Sequence, residues 1–248
     1  GIRCHPRRLA VGTEHTELKV GPDDILEIVP EISKMYSEPL GDASQIPTYI
    51  VSRMARENVT VALGGDGGDE VFAGYMRYSQ SLNTNRIFNG PLSILRRPYS
   101  YLLRSVPVSF WDIILGVLPK GARPRYPGDW VHRYGRRLKF RRPEDLHANL
   151  MEQWIEQIEK GSGEKWKRSE VLSDSDPGDE FSDLDRLQLI DIKTWMVDDI
   201  LAKVDTSSMS CGLEVRVPLL DHKVVEAALS LDHSMRYSIG KGEKIILR

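Results

Sequence analysis

The sequence predicts an α/β fold with a parallel sheet and a large helical insertion, and three observations carry that prediction. First, "VTVALGG", Val59 to Gly65, is β-branched, apolar and bounded by glycine, as a buried parallel strand should be. Second, a helical pattern, "EVFAGYMRY", follows it, and a shorter strand candidate with two helical patterns precedes it, so strand and helix alternate. Third, from about Ser79 to Asp185 the character changes to scattered tryptophans, recurrent prolines and helical periodicity. The expected parts are 1–78 (α/β), 79–185 (helical insertion) and 186–248 (C-terminal helical part).

Taken in order, "HTELKV", His15 to Val20, is a short strand candidate. "GPDDILEIVPEISKMY" is a helix that Asp23 can cap, with Ile25, Leu26, Ile28, Val29 and Ile32 on its apolar side. Pro30 is expected to kink or divide it. "EPLGDASQIPTYIVSRMARENV" reads as a loop and a second helix, Pro47 to Arg56, with Pro47 in the first turn. In the insertion, "LHANLMEQWIEQIEKG" is an amphipathic helix ended by Gly161, and "SDSDPGDEFSDLD" is an acidic turn-rich loop. "DRLQLIDIKTWMVDDILAKVD" predicts one long helix with Leu187, Ile190, Trp195 and Ile200 as core candidates. A polar loop, an extended piece and a helix from about Asp221 complete the chain.

Composition narrows the function. At 40% hydrophobic and 28% charged, with a net charge of -2 over 248 residues, the balance asks for neither nucleic acid nor an acidic membrane. The arginine cluster "RYGRRLKFRRPED" has no interleaved aromatics beyond Tyr134 and Phe140, so it reads as a solvated or subunit-facing surface. Cys4 and Cys211 are too few and too distant for a disulfide scaffold or a zinc site, and read as reduced thiols of a cytoplasmic protein. No apolar run is long enough to span a bilayer and no signal peptide is visible. Both ends read as cut, so a fragment of a longer polypeptide is expected.

The segment "GGDGGDE", Gly64 to Glu70, sets four glycines and three acids in seven positions. At the carboxyl end of a parallel strand it would face the crevice where α/β proteins bind ligands. Gly64, Gly65, Gly67 and Gly68 let the backbone turn sharply and approach a ligand, and amides beside a helix start favour phosphate. Asp66, Asp69 and Glu70 would repel phosphate unless magnesium, a cation of hard oxygen ligands, lies between them. The loop therefore reads as a magnesium–nucleotide site. It is neither a Walker A sequence nor an EF-hand. A solvated turn, with Asp69 and Glu70 capping a helix, accounts for the same composition.

Elsewhere, Glu214 and Arg216 read as a structural ion pair, and Asp42 as a cap for the helix after it. Asp198 and Asp199 are either cleft-facing or surface acids. His15 and His222 lack a second ligand at metal spacing. Trp195 reads as core.

In chain order, "GTEHTEL", "EPLGDASQIPTYIVSR", "GGDGGDEVFAGYMRY" and "DDILAKVDTSSMSCGLEVRVPLLDHKVVEAALSL" resemble motifs of the asparagine synthetase (glutamine-hydrolysing) family, over Val11 to Tyr78 and Leu187 to Arg248. The resemblance implies a parallel-sheet nucleotide α-hydrolase-like (PP-loop) domain, of which 1–78 is the nucleotide-binding part, incomplete at its N-terminus, and 186–248 its completion. It also implies ATP and Mg2+ as cofactors. Aspartate is adenylated on its side-chain carboxylate, and ammonia from an N-terminal glutaminase domain displaces AMP, giving asparagine and pyrophosphate. Gly64 and Gly65 match the pair whose backbone contacts the nucleotide, with Gly67 in the same cofactor-binding loop. Asp66 matches the acid tied to intermediate formation, and Asp69 the carboxylate that holds magnesium. Aspartate and ammonia as substrates, a glutaminase domain and a homodimer are the expected partners, with no nucleic acid and no membrane.

Three departures stand out. Gly64 replaces the usual serine, keeping a backbone N–H but losing a hydroxyl. Thr206 stands where the family has a basic residue, and Lys203, one turn earlier, is the catalytic substitute, with Lys244 as the other candidate. The Ser-Gly-Gly-x-Asp-Ser pyrophosphatase loop and the glutaminase cysteine are absent, and Cys4 is not that cysteine. A relative that amidates another carboxylate, and a degenerate non-catalytic member, are the alternatives. These 248 residues alone are expected neither to bind ATP tightly nor to hydrolyse glutamine, and ammonia-dependent synthesis by them would overturn that expectation.

Overall fold

The structure is a computed structural model that describes residues 15–88, 91–119, 121, 123–151, 158, 161–163, 181–238 and 242–247. In chain order the first elements are α1 (Pro22–Met35), α2 (Gln45–Arg56), β1 (Val61–Leu63), α3 (Gly68–Val71) and α4 (Met76–Phe88). A 3-10 turn at Pro91–Leu95 leads to α5 (Arg96–Ser105), α6 (Val108–Gly116), α7 (Pro127–Arg137) and α8 (Pro143–Met151). Then come α9 (Asp183–Lys193), a π-helical turn (Met196–Leu201), α10 (Ala202–Met209) and β2 (Glu214–Arg216). A 3-10 turn at Pro218–Leu220 precedes α11 (His222–Ser230), α12 (His233–Arg236), β3 (Tyr237–Ser238) and β4 (Gly242–Glu243), and a last turn spans Ile245–Leu247. The fold is a mostly helical α/β arrangement with a small parallel sheet. Cys4, the middle of the predicted helix after Met151 and most of the acidic loop lie outside the described residues.

The chain divides into two units, Gly1–Gly64 with Asp198–Arg216, and Gly65–Val197 with Val217–Arg248. In the first, β1 pairs in parallel with β2, Val61 opposite Glu214 and Leu63 opposite Arg216. Glu214 N–H donates to Thr60 O and Gly64 N–H to Arg216 O, which extends the ladder at both ends. β1 is shorter and more open than the buried strand expected, with Leu63 74% and Val61 38% exposed. It has one neighbouring strand among the described residues, so one edge and one face stay uncovered. Residues 15–20 form no strand, because no described strand offers them a ladder.

α2 packs against α1 and α10, burying Ile28 of α1 and Ile50 of α2. The N-cap of α1 is Gly21, two residues before the expected Asp23, and Asp24 rather than Asp23 accepts the Gly21 N–H at 2.7 Å. Pro30 sits inside α1 without dividing it. The Glu214–Arg216 ion pair forms as expected, at 2.7 Å on an exposed surface.

In the second unit, two expected helices are broken. "EVFAGYMRY" splits into the single turn α3 and the helix α4, because Ala73 takes a left-handed φ of 55°. The predicted long C-terminal helix stops at Lys193. There the Thr194 hydroxyl donates to Ile190 O at 2.8 Å, beside the backbone bond from Thr194 N–H to the same carbonyl, and the wider π turn follows. Leu187 and Ile190 are core, as expected. Trp195 is instead half-buried, with the Arg77 guanidinium 5.2 Å from its ring.

A buried carboxylate joins three helices of this unit. Asp191 of α9 accepts from Arg77 Nε (3.1 Å) and Nη2 (2.8 Å) and from Tyr78 OH (2.5 Å), all of α4. Its other oxygen meets Nε2 of His147, on α8, at 2.7 Å. The His147 ring stacks on Tyr78 with centroids 5.4 Å apart. Burial alone would raise the Asp191 carboxyl, but His147, Arg77 and Tyr78 together hold it below the usual range. Asp191→Ala would leave Arg77 and His147 without their acceptor. The expected loss is about 3–5 kcal/mol in urea unfolding, with a smaller loss for Asp191→Asn.

Candidate functional site

The glycine–acid loop takes its shape from close contacts of the second unit. Gly67 has φ +81°, and a Cβ there would collide with the Leu220 side chain, so both backbone and space require glycine. A Cβ on Gly68 would stand 3.1 Å from Leu219 and 3.8 Å from Lys244 Nζ. One on Gly74 would strike the Asp69 carboxylate and the Lys244 side chain. Those two side chains form an ion pair, Lys244 Nζ to Asp69 Oδ1, at 2.8 Å. The N–H groups of Gly65, Gly67 and Gly68 meet no acceptor among the described residues.

Neighbouring acids have different fates. Asp66 is half-buried and Asp69 partly exposed, but Glu70 points inward and is fully buried. Tyr75 OH donates to Glu70 Oε1 at 2.5 Å. Burial raises the Glu70 carboxyl above its usual range despite that bond. The Gln188 amide donates to Glu70 O at 2.6 Å and Val71 O at 2.8 Å, carbonyls that the single turn α3 cannot satisfy internally. Arg236 Nη1 in turn donates to Gln188 Oε1 at 2.5 Å. Gln188 was missed from sequence, although a signal exists: Leu184, Leu187, Gln188 and Asp191 share the inward spacing of one helix face, and all four are buried.

Gly64 and Lys203 belong to the first unit, and Gly65, Asp66, Gly67 and Asp69 to the second. Gly64 keeps its backbone N–H, as expected, and donates it to Arg216 O at 2.8 Å. Lys203 is buried, and its Nζ donates to Asp42 Oδ2 at 2.6 Å. Asp42 also accepts from Ser44 N–H (2.8 Å) and Ser44 OH (2.7 Å), so it both orders the turn before α2 and holds the lysine. Tyr36 OH lies 3.2 Å from Lys203 O and 2.7 Å from Ser207 Oγ. Burial would raise the Asp42 carboxyl, but the bonds from Lys203 and Ser44 outweigh it and hold the pKa at about 2. Asp199 moves the other way, raised by its burial and by the Asp42 charge.

Among the described residues no group of three or more His, Cys, Asp or Glu is placed to hold a metal ion. Asp69, partly exposed and paired with Lys244, is the loop carboxylate whose hard oxygens a magnesium ion would use.

Over residues 9–248 the chain matches the family model described as asparagine synthase. It is 30% identical over 247 residues to the glutamine-hydrolyzing asparagine synthetase 1 of Bacillus subtilis, covering 96% of this chain and 35% of that protein. It is 31% identical over 226 residues to a Mycobacterium tuberculosis protein given the same enzyme name provisionally, covering 90% and 32%. The chain thus spans about a third of the length of the curated relatives it matches. No solved structure matches it significantly.

The Asp42 pKa gives a pH dependence with a definite sign. Folding lowers it from 3.8 to about 2, so its contribution is present above about pH 4 and is lost as pH falls toward 2. Urea midpoints measured from pH 7 to pH 2 should fall across that window, and Asp42→Asn should lower stability at pH 7 and flatten the fall.

Proposed function

The chain belongs to the asparagine synthase family, and we propose that it is part of the ATP-using synthetase of a glutamine-dependent asparagine synthetase. In this reading the side-chain carboxylate of aspartate attacks the α-phosphorus of ATP. An O–P bond forms and pyrophosphate leaves. Ammonia, released from glutamine by a glutaminase domain, then attacks the acyl carbon of the adenylate, loses a proton, and expels AMP to give asparagine. We assign the fold to the nucleotide α-hydrolase-like (PP-loop) class, with 1–78 as part of the nucleotide domain, 79–185 as a helical insertion and 186–248 as the completing part. The parallel pairing of β1 with β2 and the loop that follows β1 support that assignment.

The observation that carries the reading is the Asp69–Lys244 ion pair set against a loop in which Gly67, and Gly74 just after it, are sterically required. The free amides of Gly65 and Gly67 would donate to phosphate oxygens, while Gly64 contributes its place at the strand end. Asp66 would act in forming the adenylate. Asp69 would hold magnesium, which when bound offsets charge on the departing pyrophosphate. Lys244, released from Asp69 or shared with it, would give the phosphates a second positive charge. Lys203 would supply an ammonium where Thr206 does not, held in place by its bond to Asp42.

Pyrophosphate release, measured on the complete synthetase polypeptide with ATP, magnesium and candidate acids, tests this. Release with aspartate is expected, and Lys244→Ala and Asp69→Asn should each lower it by roughly 10²–10³-fold. Release only with another carboxylic acid would assign the amidotransferase alternative. No release with any acid would assign a non-catalytic member.

A further inference from the structure

Two strained residues mark the Asp69–Lys244 pair. Ala73, at φ 55°, and Lys244, at φ 52°, are the two non-glycine residues with a left-handed backbone among the described residues. Both adjoin the pair. Lys244 is half of it, and Ala73 leads into Gly74, whose missing side chain leaves room for the Asp69 carboxylate and the Lys244 side chain. Gly74 N–H also donates to Asp69 O at 2.7 Å. Such conformations persist only where the surrounding structure imposes them. The pair itself imposes little, because the Lys244 and Asp69 side chains are 35% and 40% exposed.

The constraint comes from α12 and the strand after it, all within the second unit. Tyr237 of β3 belongs to one buried cluster with Ala73, Leu184 and Leu187. In the antiparallel pair it stands opposite Glu243 of β4, the residue before Lys244. The residue before Tyr237, Arg236, is 1% exposed. Its guanidinium donates to Gln188 Oε1 at 2.5 Å, to Asp185 Oδ1, and to Leu231 O at 3.2 Å. Asp185 and Gln188 are three residues apart on α9, so one face of that helix receives it. The Gln188 amide then donates to Glu70 O and Val71 O, in the turn that carries Asp69. Its orientation is fixed from both sides, since Oε1 must accept and Nε2 must donate. Arg236 is thus tied by the chain to the strands that lead to Lys244, and through Gln188 to the turn of Asp69. Stability alone does not call for a buried cation here, since apolar side chains of similar volume are often as stable.

We propose that Arg236 and Gln188 are positioning residues that set the separation and direction of the Asp69 carboxylate and the Lys244 ammonium for one magnesium pyrophosphate. Both are buried, so they act through the pair and not on substrate. The proposal rests on the assignment of Asp69 and Lys244 to the departing pyrophosphate.

Labelling of the full chain with limiting acetic anhydride, read lysine by lysine, tests the proposal without substrate. An ion pair masks its ammonium, so Asp69→Asn should raise labelling of Lys244 by roughly two- to fivefold. Gln188→Met and Arg236→Lys should each raise it to a similar extent and leave Lys34 and Lys203 unchanged. Arg236→Lys keeps a cation for Asp185 but loses the planar fork that also reaches Gln188. Adding Gln188→Met to Asp69→Asn should raise Lys244 labelling no further, because the pair is already open. In the complete synthetase polypeptide, Gln188→Met should raise the half-saturating magnesium concentration for pyrophosphate release about tenfold, with the KM for aspartate within about twofold. Unchanged Lys244 labelling in any of the three single variants, or an unchanged magnesium dependence, would overturn the proposal. So would an equal rise at Lys203 or a further rise in the double variant, because each reports general loosening. If labelling responds as expected but Lys244→Ala and Asp69→Asn leave pyrophosphate release intact, the assignment of the site fails, while the labelling still supports the positioning.

Discussion

The carboxylate of Asp191 is the constraint on which the second unit depends. Its position in the interior is tolerable only because each oxygen has a donor, and the donors come from two other helices. A desolvated carboxylate with an empty lone pair is expensive, so α4, α8 and α9 are held in one relative arrangement. Arg77 adds to that rigidity. Its guanidinium lies 3.6 Å from the Tyr75 ring centroid and 5.2 Å from that of Trp195 while it donates to Asp191. One turn earlier on α9, Gln188 extends the constraint to the glycine–acid loop by holding the carbonyls of Glu70 and Val71.

That anchoring explains how adjacent acids in the loop come to do different things. Glu70 is drawn into the interior under Tyr75, where burial disfavours its charge. Asp69, one residue earlier on a single helical turn, faces outward and meets Lys244. Glycine at 67 and 74 is a steric consequence of the same arrangement, since Leu220 and the Asp69–Lys244 pair occupy the space a Cβ would need. The site's chemistry and its steric requirements thus have one origin.

In the first unit, the same electrostatic logic separates two aspartates. Asp42 is held ionised by Lys203 and Ser44, while Asp199, buried near that fixed negative charge, is pushed toward its neutral form. The pairing also makes Lys203 a fixed positive charge rather than a mobile surface ammonium. Residues 91–142 differ: they hold twelve Lys and Arg against two Asp, and among the described residues Arg97, Arg104, Arg123, Arg133 and Arg137 have no carboxylate partner.

Much of this was legible in the order of residues. The strand before Gly64, the helix ending at Arg56, the extended piece at Glu214–Arg216 and the helix after Asp221 follow from local periodicity and turn chemistry, which need no distant partner, although the helix ending at Arg56 starts at Gln45 rather than the expected Pro47. The four motifs that resemble the family are likewise local strings, and the family membership agrees with them. What only the tertiary structure decided depends on residues far apart in sequence. Lys244 reaches Asp69, Lys203 reaches Asp42, and Asp191 collects Arg77, Tyr78 and His147. The breaks at Ala73 and Thr194, the exposure of β1 and the use of the Gly64 N–H by Arg216 belong to the same class. Sequence spacing reports which face of an element is apolar, but not which distant polar group will fill a buried carboxylate. That choice is made by desolvation and geometry once the helices have packed.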